Sequence, residues 1–162
     1  MIPLKAIKIS VIPTNDAPRV DIDFTLRIYK WNFERYVDIE RSKKVLELAT
    51  FPYRTTALGR QYLADAILKA GSEMRRGRDH IVIVLTSADI YTKGMNYIFG
   101  LATLGSALIS SARIDPSFWR NFVEIFHHSY MGRPFFEKQY VKVLIHELGH
   151  KITMFSSGCD VR

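Results

Sequence analysis

The sequence has a single cysteine and no long run of apolar residues, and each absence excludes a class of protein. Among its 162 residues only Cys159 is a thiol, so neither an intramolecular disulfide nor a cysteine-rich zinc finger can form. No apolar run approaches the length of about 18 residues that a membrane-spanning helix needs, so no membrane partner is expected. Residues Met1 to Lys5 lack the layout of a signal peptide, so a cytoplasmic location is expected.

The residues that are present have the composition of an ordinary globular domain with an excess of positive charge. Hydrophobic residues make up 48% and charged residues 24% of the chain, and its length suits one domain over residues 1–162. The formal net charge of +7 would suit an acidic partner. The basic residues are spread along the chain, however, and their densest group, residues 75–78, is typical of a solvated turn. Nucleic acid is therefore not expected as a partner.

Hydrophobic periodicity predicts strands that alternate with helices. Strands are expected at residues 6–12, 36–39, 80–86, 97–100 and 107–114. Helices are expected at residues 57–74, 118–126 and 137–150. The apolar run at 80–86 predicts a central buried strand, and Asp89 is expected to form or cap a turn in the loop that follows it. Residues 20–34 fit both strand and helix spacing. The alternation indicates an α/β domain.

The most informative segment is the pentad His146-Glu147-Leu148-Gly149-His150 in the last predicted helix. Histidines at i and i+4 lie on one face of a helix, so both imidazoles can reach one metal ion. The glutamate at i+1 lies beside such a metal, where it can accept a proton from an activated water. The pentad therefore predicts His146 and His150 as zinc ligands and Glu147 as the catalytic base and acid of a zinc peptidase.

Other segments carry a second and more specific signal. They are Ile7–Pro13, Arg60-Gln61-Tyr62, Val84–Tyr91, Asn96–Ala102 and Ile109–Ile114. Together with the pentad, their order and spacing resemble the archaemetzincin family of zinc metallopeptidases over most of the chain. In that family the corresponding segments are a first strand, an element at a helix start, a strand with a threonine-x-x-aspartate loop, an aromatic-x-phenylalanine-glycine segment and a serine-x-x-arginine strand.

The resemblance implies a metzincin-like, or zincin-like, fold in which a twisted mixed sheet is backed by helices and the active-site helix lies near the C-terminus. It favours a helix for residues 20–34. It also places the strand at 106–114 at the edge of the cleft, where an extended peptide could add as a further strand. The implied activity is hydrolysis of peptides or unfolded protein segments, with one zinc ion at His146 and His150. The resemblance also suggests an aminopeptidase type of cleavage, near the N-terminus of the substrate.

The chain departs from the family pattern after His150. The family continues as H-E-x-x-H-x-x-G-x-x-H followed by cysteine, whereas this chain has Thr153 in place of the glycine and Ser156 in place of the third histidine. The family's second, four-cysteine zinc site is not expected, because Cys159 is alone. The abrupt change resembles a truncated or altered C-terminus. Without the glycine, the helix is expected to continue past residue 153.

Three outcomes for the metal site follow from this departure. Cys159, Asp160 or the terminal carboxylate of Arg162 could complete the site as the third ligand. Alternatively, two histidines and water would hold zinc with lower affinity, or no metal would bind. The last outcome defines the alternative function, a catalytically impaired peptidase fold that acts as a peptide-binding module.

Overall fold

A computed structural model of the chain describes residues 7–115, 118 and 133–156, and in the last range it describes the side chains of residues 136–146 and 148. The elements in chain order are β1 (Lys8–Pro13), α1 (Arg19–Phe33), β2 (Asp38–Arg41), β3 (Tyr53–Thr56), β4 (Gly59–Leu63), α2 (Ala64–Ser72), β5 (His80–Thr86), β6 (Asp89–Tyr91), β7 (Gly100–Thr103), β8 (Ser106–Ser110) and α3 (Arg133–Ser156). None of the helices in these residues is long and apolar enough to cross a membrane.

The larger sheet has the strand order β2-β1-β5-β8-β7. β1 pairs in parallel with β2 and β5, β5 pairs in parallel with β8, and β7 at the edge runs antiparallel to β8. All seven residues of β5 are buried, as is typical of a parallel strand that is covered on both faces. The predicted mixed sheet with a central strand at residues 80–86 is therefore confirmed.

A smaller sheet has the order β3-β4-β6, in which β3 and β4 form an antiparallel hairpin and β4 pairs in parallel with β6. An isolated bridge between Ile90 and Ile98 joins β6 to the segment that precedes β7. Residues 92–99, named here the cleft loop, consequently run from the smaller sheet to the edge of the larger one.

Helices cover both faces of the larger sheet, because its alternate side chains are apolar on both sides. On one face α1 and α3 bury a core that includes Ile9, Val11, Ile22, Tyr29, Ile81, Ile83, Ile109, Tyr140 and Leu144. On the other face α2 and the smaller sheet bury a core that includes Ile12, Tyr62, Ile67, Leu68, Val82, Val84, Ile90 and Leu108. This arrangement holds α3 against the sheet beside its β7 edge.

The segment that periodicity left undecided is helical, as the resemblance favoured. α1 follows an extended Pro18, and its buried side chains include Asp21, Thr25 and Tyr29, which are four residues apart. That spacing places them on one face of a helix. The packing of this face against the sheet decides between two patterns that both occur in the sequence.

The helix predicted at residues 57–74 is wrong in its first half. Residues 53–63 form the β3-β4 hairpin, and α2 begins only at Ala64. Gly59 has a φ of 109°, a left-handed conformation that glycine adopts at little cost and that helps the chain to turn between the two strands. Tyr62 is buried because β4 pairs with β3 and β6, so its helical spacing from Leu58 is coincidental. Arg60-Gln61-Tyr62 thus lies in a strand, directly before the helix.

The structure also corrects the predictions for the strands near the cleft. The strand expected at 107–114 ends at Ser110 and lies between β5 and β7, so it is not the edge strand. The edge is β7, which follows the segment where a strand was expected at 97–100. Asp89 begins β6 and does not lie in a loop. The helix predicted at 118–126 lies outside the described residues apart from Phe118.

Candidate metal centre and cleft

α3 carries the whole H-E-x-x-H pentad in one unbroken helix. It extends beyond the predicted residues 137–150 at both ends, and its continuation past Thr153 agrees with the effect expected from the missing glycine. One face of the helix packs on the sheet through side chains spaced by four residues. They are Phe136, Tyr140, Leu144 and Leu148, each at most 3% exposed. The pentad therefore stands on a rigid support.

His146 is exposed and lies midway between the buried Leu144 and Leu148. Two residues correspond to a rotation of about 200° around a helix, which turns His146 away from the core. His150 occupies the same helix four residues later, so the two predicted ligand positions lie on one face, about 6 Å apart along the axis. Glu147 and His150 are placed by the helix backbone, and their side chains lie outside those that the structure describes.

An open cleft of about 860 Å³ lies beside this part of α3. α3 contributes Lys142, Val143 and His146 to the lining, and residues 94–100 form the rest of it. Lys142, one turn before His146, was not predicted from the sequence, although its i−4 spacing from the first histidine was an available signal. No carboxylate is among the lining residues in the described part of the chain.

The donor set around α3 fits two ligands of a zinc ion. Imidazole nitrogen is an ordinary zinc ligand, and His146 faces an open cleft one helical turn before the second histidine position. Among the side chains that the structure describes, no group of three or more histidine, cysteine, aspartate or glutamate residues could hold a metal ion. The third ligands considered above, Cys159, Asp160 and Arg162, lie outside the described residues.

A buried ion pair holds the cleft loop. Arg113 donates two hydrogen bonds to Asp89, from Nε to Oδ1 at 2.8 Å and from Nη2 to Oδ2 at 2.9 Å, and the two side chains are only 9% and 4% exposed. Gln61 Nε2 donates both to Asp89 Oδ2 at 3.0 Å and to the carbonyl oxygen of Asn96 at 2.7 Å. The turn-forming role predicted for Asp89 is therefore wrong, because its carboxylate joins three segments of the chain.

Arg54 supports the same loop from β3. Its Nε donates to Gln61 Oε1 at 2.7 Å and its Nη2 donates to the Asn96 carbonyl oxygen at 3.0 Å. The guanidinium also lies 3.8 Å from the centre of the Tyr91 ring, within the range of a cation–π interaction. Neither the role of Arg54 nor the hydrogen bonds of Gln61 were predicted from the sequence. The only signal in this hairpin was the family-like Arg60-Gln61-Tyr62 segment in β4.

Proteins of known family are similar to this chain in both sequence and fold. An archaemetzincin from Thermococcus kodakarensis is 34% identical over 116 residues, which cover 67% of this chain and 53% of that protein. The crystal structure of an archaemetzincin from Methanopyrus kandleri matches with a TM-score of 0.63 and 25% identity, covering 93% of this chain and 76% of that one. The chain belongs to the archaemetzincin family.

The similarity in fold to this crystal structure confirms the predicted zincin-like architecture. A zinc-dependent peptidase from Methanocorpusculum labreanum has the same fold, with a TM-score of 0.57 at 18% identity over 88% of this chain and 80% of that one. No protein-family model matches the chain. The chain spans about half the length of the curated relatives it matches, for example 53% of the Thermococcus protein.

A serine, a histidine and a glutamate also meet on the face of the larger sheet that α2 covers. His80 Nδ1 accepts a hydrogen bond from the backbone N–H of Arg76 at 2.9 Å, so the neutral ring carries its proton on Nε2 and donates it to Ser10 Oγ at 2.7 Å. Ser10 Oγ in turn donates to Glu40 Oε1 at 2.8 Å. A nucleophilic serine must instead donate to its histidine. The group is therefore structural.

Proposed function

We propose that the chain is a zinc-dependent metallopeptidase in which His146 and His150 bind the metal and Glu147 is the general base and acid. The observation that carries the proposal is the exposed His146, which lines an open cleft on an unbroken helix that also holds Glu147 and His150. Membership of the archaemetzincin family supports it, as does the fold shared with a zinc-dependent peptidase.

The residues of α3 divide the chemistry between them. A zinc ion held by the two histidines would supply Lewis acidity, which lowers the pKa of water and polarises a carbonyl group. Glu147, next to His146, accepts the proton of the attacking water and returns it to the leaving amine. The buried face of α3 keeps these positions fixed relative to the cleft.

The proposed substrate is a peptide or an unfolded protein segment. Gly100, the first residue of β7, lines the cleft, and no other described strand pairs with the outer side of β7. An extended peptide can add to such an edge through backbone hydrogen bonds. The cleft volume of about 860 Å³ lies within the range of about 300–1,000 Å³ that ligand sites usually have.

Zinc content and hydrolysis together test the proposal. About one zinc ion per purified chain is expected by elemental analysis, and its loss in His150→Ala would identify the site. Glu147→Gln is expected to keep the metal and to abolish the hydrolysis of a labelled peptide mixture, because it removes the proton acceptor. If the chain takes up no zinc from an excess of metal, or if hydrolysis survives in Glu147→Gln, the proposal is contradicted.

Cleavage near the N-terminus of the substrate is a finer part of the proposal, and its support is the family resemblance. It predicts that a peptide with a free amino terminus is hydrolysed and that the same peptide with an acetylated terminus is not. Equal hydrolysis of both peptides would indicate an endopeptidase.

Peptide binding without turnover is the second candidate function, and the continuation of α3 favours it. The helix runs to Ser156, so the position of the family's third histidine lies about 9 Å beyond His150 along the axis and cannot share a metal with it. This candidate predicts that the unmodified chain binds peptides without releasing products. It also predicts that Glu147→Gln leaves the affinity unchanged.

A further inference from the structure

We propose that Tyr97 contacts the substrate and selects a large apolar side chain, and that Arg113 is the positioning residue that fixes the Tyr97 ring. The inference rests on the proposed function, because it names the class of side chain that the same cleft accepts. It concerns the cleft loop, to which the zinc chemistry by itself assigns no role.

The cleft loop presents apolar side chains to the cleft. Met95, Tyr97 and Phe99 line it and remain 55%, 41% and 43% exposed. When a ligand covers exposed apolar surface in a concave site, that surface is removed from water, which stabilises the complex. Val143 adds a further apolar group from α3. Among the described lining residues, Lys142 is the one lysine or arginine. This lining favours an apolar side chain over a charged one.

The ring of Tyr97 is held in one orientation by two neighbours. The guanidinium carbon of Arg113 lies 3.9 Å from the centre of the Tyr97 ring, a distance typical of a cation–π interaction. Phe99 meets the same ring edge-on, with the centroids 5.7 Å apart and the planes at 89°, which is a favoured aromatic geometry. A ligand therefore meets a surface that is already ordered, and binding need not order the tyrosine.

Arg113 can hold the ring because its own position is fixed on several sides. Its two hydrogen bonds to Asp89 use the planar fork of the guanidinium, and the ring of Phe118 lies 5.3 Å from its Cζ atom. A lysine at this position would keep the charge but would lose both the bidentate geometry and the planar stacking. Arg113→Lys therefore separates the positioning role from the charge.

The test measures side-chain preference by binding, independently of catalysis. In a Glu147→Gln background, fluorescence anisotropy is measured with short labelled peptides that differ at one position, occupied by Phe, Leu, Ala or Lys. The Phe and Leu peptides are expected to bind about tenfold more tightly than the Ala peptide. Tyr97→Ala is expected to bring the Phe-to-Ala affinity ratio close to one, and Tyr97→Phe is expected to retain it.

If Arg113 positions the Tyr97 ring, the Phe-to-Ala affinity ratio should fall in Arg113→Lys. The variant is measured well below its own melting temperature, so that unfolding does not contribute to the change. Trp31→Ala is the control, because Trp31 is an aromatic residue on α1 with 81% exposure and does not line the cleft. This variant should leave the ratio unchanged.

Each contrary result has a separate meaning. If the Phe-to-Ala affinity ratio persists in Tyr97→Ala, the selection role is overturned. If Arg113→Lys lowers the affinity for all four peptides by the same factor, the positioning role is overturned. Equal affinities of the unmodified cleft for the four peptides overturn the inference and leave peptide binding in place. If no peptide binds, the inference and the proposed substrate class both fail, whereas zinc content still decides the metal site.

Discussion

Gly71 of α2 lies directly against Val84 of the central strand, so close that a Cβ atom at residue 71 would stand 2.5 Å from Val84 Cγ2. Both residues are buried, and the valine is fully so. Glycine is unfavourable within a helix, at a cost of about 1 kcal/mol relative to alanine. At this position the close approach of helix and strand requires it.

Gly71→Ala is accordingly expected to destabilise the protein by about 1–2 kcal/mol. The overpacking penalty exceeds the gain in helix propensity, because Val84 is stiff and sits in a fully buried strand. Urea denaturation followed by circular dichroism measures the difference. Lys69→Ala, an exposed change in the same helix, is the control and should stay within about 0.5 kcal/mol of the parent. A stabilised Gly71→Ala variant would show that α2 can move away from β5.

His80 predicts a loss of stability as the pH falls. Burial, followed by the positive charge of Arg76, lowers the pKa of His80 from its usual 6.5. Among its other neighbours, Glu40 and Asp79 raise this pKa and Arg75 lowers it. Because protonation is easier in the unfolded chain, the stabilising contribution is complete above a pH of about 6.5 and declines as the pH falls toward the folded pKa.

Thermal melting between pH 8 and pH 5.5 tests this prediction, with His80→Gln as the comparison. The parent protein should lose stability over this range more steeply than the variant, which has no imidazole to protonate. Glu40 titrates below the range, because hydrogen bonds from Ser10 and Arg76 lower the pKa of its carboxyl from 4.5. Parallel curves for the two proteins would mean that His80 accepts a proton equally well in the folded state.

Asp89→Asn is expected to be strongly destabilising. It removes the negative partner of Arg113 but leaves the guanidinium buried, and breaking a buried pair in this way costs about 3–5 kcal/mol. The matched control is Asp23→Asn, whose carboxylate lies 3.7 Å from Arg19 Nε on the helix surface with both side chains more than half exposed. That change should cost less than about 1 kcal/mol. Equal effects in urea denaturation would refute a structural role for the Asp89–Arg113 pair.

Restoring the family pattern after His150 is expected to strengthen zinc binding. The double variant Thr153→Gly/Ser156→His supplies a residue that can end the helix and a third imidazole, which gives the usual number of ligands for a catalytic zinc. Competition with a chromophoric chelator measures the affinity. The single variant Ser156→His is the control and should bind zinc no better than the parent, because an unbroken helix keeps residue 156 away from His150. Unchanged affinity in the double variant would mean that the parent site is already complete.

Patterns that span a few neighbouring residues could be interpreted from the sequence alone. The buried strand at 80–86 follows from six consecutive apolar or β-branched residues, Ile81 to Thr86, and the helix that carries His146 and His150 follows from its four-residue spacing. Residues 57–63 show where such patterns fail. Their apolar residues fit a helix, but strand pairing with β6 buries Tyr62 instead, and no local pattern contains information about that partner.

The sequence by itself determined the identity and spacing of the predicted zinc ligands and the core stripe of the helix beneath them, because both depend on geometry within one or two helical turns. Only the tertiary structure decided that β7 forms an edge of the larger sheet, that Arg113 packs on the Tyr97 ring, and that His80 donates a hydrogen bond to Ser10. These relationships join residues far apart in the chain, such as Ser10 and His80, whose sequence separation is 70. They depend on which strands pair and how closely the layers pack, and local periodicity specifies neither.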